Sequence, residues 1–187
     1  MNIEKLDKKL NEIQKLIDEN ESIDFLMKPL EKFQIEITCE FIRNNDKFTF
    51  RLDDKRIFNN PGIYMFEIYI DNNDWIDEWK TDGIKCTPGI NDKFLNEKYI
   101  EGWRCIYVGK HETNLENRIR EHIFLEKDKT TYGLKIKERN LKNSPCFRIT
   151  WFPITEELLK KLKHHKIILL IFEHLLYKHK KPIFGSM

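Results

Sequence analysis

The stretch that most constrains this chain is NNPGIYMFEIYI, Asn59 to Ile70. Asn-Asn-Pro-Gly is a turn signal, and the residues after it are mostly β-branched or aromatic. The pattern predicts a turn that feeds a buried strand. Such a strand needs neighbours to pair with and elements to cover it, and the rest of the chain has to supply both. Read alone, Tyr64 is a core aromatic on that strand.

The flanking sequence supplies candidates. Leu6, Leu10, Ile13 and Ile17 recur at helical spacing and predict an amphipathic helix over 3–20. Phe33, Ile35, Ile37, Cys39 and Phe41 alternate with polar residues, and Phe48, Phe50 and Leu52 alternate again, predicting a hairpin of 33–42 with 47–52. Residues 71–101, rich in Asp, Asn and Trp, lack sustained periodicity and read as an insertion. Trp75, Trp79 and Trp103, in or beside it, are expected to form a satellite core. WRCIYVGK is a further strand. NLENRIREHIFLEK is a helix with Leu115, Ile119 and Ile123 on one face and Asn114 as its N-cap. TYGLKIKERNLKN predicts a short basic helix, CFRITWF a strand, and the segment from Pro153 to Lys181 a long helix capped by Thr155 and ended by Pro182. The order predicts an α+β fold: a small, largely antiparallel central sheet flanked by helices, with an N-terminal helix and β-hairpin extension. The expected division is 1–58 for the extension and 59–187 for the main domain, with the insertion at about 71–103.

Composition narrows the classes. No run of eighteen apolar residues exists, so no membrane span is expected. The N-terminus lacks the basic and apolar regions of a signal peptide, so a cytoplasmic protein is expected. Cys39, Cys86, Cys105 and Cys146 form no C-x-x-C pair and read as reduced thiols. The formal net charge of +2 hides an asymmetry: residues 1–100 carry 15 Lys and Arg against 21 Asp and Glu, and residues 101–187 carry 18 against 10. A basic half suits an anionic partner such as nucleic acid, although lysine-rich helices are also simply solvated. His164, His165, His174 and His179 read as a basic helix flank, without metal-site spacing.

Two features look chemical. Arg118 and His122, four apart, share one helix face, and the preceding strand ends in Tyr107 and Gly109. A phenol, a guanidinium and an imidazole could surround one phosphate, with arginine as its bidentate partner. Gly109 would allow a sharp turn or a close ligand. The ordinary alternative pairs Arg118 with Glu121 or Asn114 and leaves His122 in solvent. Glu173 has Leu169, Leu170, Leu176 and Tyr177 as its helical neighbours. A carboxylate there is costly unless it is paired, reaches water at the stripe's edge, or holds a cation.

These residues, taken in order, resemble the GIY-YIG nuclease superfamily. Gly62-Ile63-Tyr64 matches its first motif and Tyr107-Val108-Gly109 its second. Arg118 to His122 matches the helix motif, Glu173 the late glutamate, and Lys181-Pro182 the ending. The resemblance covers roughly residues 60–185 and says nothing of 1–58. It implies hydrolysis of a DNA phosphodiester with one Mg²⁺ or Mn²⁺ held by Glu173 and the scissile phosphate. Tyr64 would activate the water, Tyr107 would bond near the nucleophile or phosphate, Arg118 would stabilise the transition state, and His122 would assist at the phosphate or in proton transfer. Lys110, Arg120, Lys135, Lys137 and Arg139 are the expected phosphate or DNA contacts. Two departures stand out: the long insertion between the tyrosine motifs, and Gly185 where many relatives carry an asparagine.

Three functions are expected to compete. The first is a stand-alone, restriction-like DNA endonuclease, with a homodimer as the way to cut both strands. The second is a catalytically weak or inactive DNA-binding module on the same fold. The third is a protein–protein adaptor using residues 1–58.

Overall fold

The computed structural model describes residues 30–46, 60–70, 75–80, 83–95, 102–139, 141, 146–161 and 165–185. The helix expected over 3–20 and the hairpin arm expected over 47–52 lie outside them.

The protein is a small α+β fold, with one antiparallel sheet among the described residues. Its strands are β1 (Phe33–Thr38), β2 (Gly62–Ile70), β3 (Gly102–His111) and β4 (Cys146–Pro153), in the order β1-β4-β2-β3. The GIY strand β2 is central, and alternation along it feeds two apolar layers. Tyr64, Phe66 and Ile68 face Ile106, Phe147, Ile149 and the helix α4 (Leu115–Phe124), whose Leu115, Ile119 and Ile123 are fully buried. Ile63 and Met65 face the other way, against Cys105, Val108 and Leu169, Leu175 and Leu176 of the helix α6 (His165–Lys180). Each such side chain contributes about 1.5–3 kcal/mol by leaving water, so the two layers hold the sheet between helices.

Local chemistry sets the ends. Asn114 caps α4, its side chain accepting the Asn117 N–H at 2.9 Å, as expected. A second short helix, α5 (Glu156–Lys161), begins directly after Thr155. At the end of α6, Lys181 takes a left-handed conformation (φ 46°), its N–H on the Tyr177 carbonyl, and Pro182 follows.

Three expectations need correction. The alternation from Phe33 predicts a strand through Phe41, but β1 stops at Thr38, whose hydroxyl accepts the Phe41 N–H and starts the helix α1 (Cys39–Asn44). β1 pairs with β4, so the extension contributes a strand to the main sheet. Within the basic helix expected over 131–143, the described residues form a three-residue 3-10 turn, Ile136–Glu138, preceded by Lys135 at φ 53°. The insertion contains two short helices, α2 (Trp75–Trp79) and α3 (Asp92–Leu95). Trp75 and Trp79 belong to the main core, where Trp79 stacks on Phe184 at 4.7 Å, and Trp103 lies on β3 under Arg148. All four cysteines are free thiols.

Candidate active site

The sheet and its two helices bring the expected residues to one place. Tyr64 comes from β2, Tyr107 and Lys110 from β3, Arg118 and His122 from α4, and Glu173 from α6. Antiparallel pairing sets Tyr64 opposite Gly109. A Cβ on Gly109 would lie 2.5 Å from the Tyr64 Oη and 2.8 Å from Tyr107 Cε1. Gly109 therefore makes room for the protein's own phenol, not for a turn or a ligand.

His122 is the deepest member. It is fully buried, contrary to the expectation of a solvated or phosphate-touching ring. Its ring lies 5.3 Å from that of Tyr64 and 4.6 Å from that of Tyr107. The Leu134 N–H donates to its Nδ1 at 3.1 Å. A backbone N–H can only donate, so Nδ1 is an acceptor and the neutral ring carries its proton on Nε2. Nε2 lies 2.8 Å from the Tyr64 Oη and so donates to it. Burial, helped by the Arg118 charge, pushes the His122 pKa well below its ordinary value and keeps the ring neutral.

The two phenols form the middle tier. Tyr64 is 1% exposed, and Tyr107 beside it is half-buried. Their rings stack at 6.1 Å and 28°. Burial raises both phenol pKa values; Arg118 opposes this by charge and hydrogen bonding, and Glu173 adds to it. At neutral pH both are protonated.

Arg118, Glu173 and Lys110 complete the outer tier. Arg118 donates from one nitrogen to Glu121 at 2.8 Å and to the Tyr132 carbonyl at 2.7 Å, so the expected surface pair exists alongside the phenol contacts. Its side chain is 16% exposed. Glu173 is partly buried, and burial raises its pKa against the opposing charge and backbone N–H of Lys110. The Lys110 ammonium is held by Glu112 at 3.0 Å.

The remaining basic residues are elsewhere. Arg120 is paired with Glu116 along α4. Lys135 is fully buried, with its ammonium on main-chain carbonyls. Lys137 donates to the Asn45 carbonyl at 2.6 Å. Arg139 donates to the carbonyls of Leu134 and Trp79 and stacks on the Trp79 ring. Lys135 and Arg139 are therefore buried away from any phosphate, while Arg120 and Lys137 are half-buried and, like Lys110, held by the protein's own oxygens.

Sequence reasoning missed the backbone partners, Leu134 N–H and Tyr132 C=O, which leave no side-chain signal. It also missed His111, whose Nδ1 accepts the Asn114 N–H at 2.9 Å and steadies the start of α4. A histidine three residues before the N-cap was the available clue. Gly185 stands at φ 97°, a glycine conformation, with its carbonyl on the Tyr177 hydroxyl at 2.8 Å.

Among the described residues no group of three or more His, Cys, Asp or Glu could hold a metal ion. One partly buried carboxylate, Glu173, fits a different arrangement: Mg²⁺ takes one or two protein carboxylates and fills its shell with phosphate oxygens and water. The chain matches no family model, no curated protein and no solved structure, so the site's geometry carries the functional argument.

Proposed function

We propose that the protein is a metal-dependent DNA endonuclease of the restriction-like, GIY-YIG kind. One observation carries this: Tyr64, Tyr107, Arg118, His122 and Glu173, distant in sequence and drawn from four elements, meet in one cluster with partners suited to phosphodiester hydrolysis.

The chain's own residues divide the work by depth. Tyr107 is the phenol with access to solvent; once its own proton has passed to solvent, its phenolate oxygen would take the proton of an attacking water. Tyr64 lies behind it, and the His122 Nε2–H donates to Tyr64. Negative charge on the phenol pair thereby has one fixed N–H donor. Arg118 faces the same oxygens and would offset charge on the phosphate as the new P–O bond forms and the bond to the departing sugar oxygen breaks. Lys110 would exchange Glu112 for a phosphate oxygen. Glu173 would hold Mg²⁺ or Mn²⁺, which would supply Lewis-acid polarisation of the phosphate and reverse the charge that raises the phenol pKa values.

The raised phenols favour one second reading: a DNA-binding module with little or no cleavage. The adaptor reading depends on residues 1–58, of which 30–46 are described. Plasmid incubated with Mg²⁺ or Mn²⁺ separates them. Cleavage by wild type, lost in Glu173→Ala and Tyr64→Phe, supports the nuclease. Salt-sensitive binding without cleavage favours the module. Equal cleavage by all three proteins overturns the assignment.

A further inference from the structure

The least expected polar group is the Lys135 ammonium. Lys135 is fully buried, sits at a left-handed φ of 53°, and donates to three main-chain carbonyls: Lys85 at 2.5 Å, Lys129 at 2.6 Å and Lys127 at 3.4 Å. Buried lysines are rare and costly unless fully hydrogen-bonded, and this one has an acceptor for each of its three donors. The carbonyls come from two separate segments. Lys127 and Lys129 belong to the loop after α4, and Lys85 belongs to the insertion. The same segments are joined by the Lys85 N–H on the Lys127 carbonyl (3.0 Å) and the Gly133 N–H on the Cys86 carbonyl (3.2 Å).

That loop delivers two backbone groups to the site. The Tyr132 carbonyl holds Arg118, and the Leu134 N–H holds the His122 Nδ1. Both groups lie within three residues of Lys135. We propose that Lys135 is a positioning residue: by tying the 127–134 loop to the insertion at Lys85, it fixes the direction of the Arg118 guanidinium and the tautomer of His122. The catalytic part of this inference rests on the nuclease reading; the tautomer part does not. It also gives the insertion a task, as the fixed wall against which the loop is held.

The test compares wild type with Lys135→Met, which keeps the stem and removes the donors, and Lys135→Gln, which keeps two donors without the charge. Lys129→Met, at an exposed lysine paired with Glu126, is the control. Histidine side-chain nitrogen NMR reads the His122 tautomer without DNA. Wild type and Lys129→Met should show a single Nε2–H form, Lys135→Met a mixture of tautomers, and Lys135→Gln an intermediate spectrum. In cleavage, kcat should fall about 100-fold in Lys135→Met while KM for DNA changes less than about two-fold, as expected for misplaced catalytic groups. An unchanged His122 spectrum overturns the proposal. So does cleavage by Lys135→Met equal to wild type. So does global unfolding of both Lys135 variants, because a tie on one loop leaves the sheet standing. A tautomer change in a protein whose wild type cuts no DNA supports the positioning role and removes the nuclease reading alone.

Discussion

Arg118 and Arg139 are both guanidiniums drawn well inside the protein, and they face opposite company. Arg118 meets two phenols, a carboxylate and one carbonyl, at the edge of solvent. Arg139 meets two carbonyls and the face of Trp79, 4.5 Å from its ring centroid, and is 7% exposed. Three of the partners of Arg118 can carry negative charge. None of those named for Arg139 can, and burial lowers its pKa to about 10. A buried cation among ionisable groups is placed for charge that comes and goes. A buried cation among carbonyls is placed for shape.

That contrast can be broken by substitution. Arg118→Ala should lower cleavage about 1,000-fold with little change in Tm, since it removes a charge-stabilising donor. Gly109→Ala should lower cleavage about 100-fold, because the added Cβ must displace the Tyr64 phenol. Its crystal structure or tyrosine NMR signals should show that displacement. Arg139→Ala should do the reverse, destabilising the fold by about 2–3 kcal/mol in urea unfolding, with cleavage per folded molecule near wild type. If Arg139→Ala abolishes cleavage in fully folded protein, the division between the two arginines fails.

The smallest effect is one of pH. Burial holds the His122 pKa well below its ordinary value. The unfolded imidazole takes up a proton near about pH 6.5, and the native one does not until far lower. The unfolded state therefore binds more protons in that window. The stability contributed by neutral His122 is present above it and is lost as the pH falls, by at most about 1.4 kcal/mol per pH unit. Urea midpoints at about pH 5 and about pH 7 measure this slope, and His122→Gln should reduce it. A slope identical in both proteins would remove His122 as its source.

Much of this arrangement was legible in the chain. Apolar runs bounded by turn signals placed β2, the body of β3 and β4, which feed both layers, and helical periodicity placed α4, whose apolar face points at one. The five candidate residues were legible because side-chain identity and element order survive in sequence. What failed was environment. Lys135, Lys137 and Arg139 look like a basic stripe in KIKER, but their partners are carbonyls of Lys85, Lys129, Asn45, Leu134 and Trp79, and a carbonyl has no letter of its own. The strand expected through Phe41 ends early for a related reason: Thr38 sits at a polar position of an alternating strand and is equally a helix cap, and only tertiary pairing decides which use prevails.

The irregular register in β2 and β3 has a consequence of its own. Phe66 pairs with Tyr107, but Glu67 pairs with Cys105, so Ile106 is the extra residue of a bulge. The bulge lies between the site end of β3 and the end that joins the insertion. Strand pairing normally transmits a one-residue slip along its whole length and turns every side chain to the opposite face. Here the strand has a joint at which such a slip can be taken up. Segments of different length could be spliced before Gly102 while Tyr107 and Gly109 keep their facing toward Tyr64, leaving the insertion free to vary beside an unchanged tyrosine cluster.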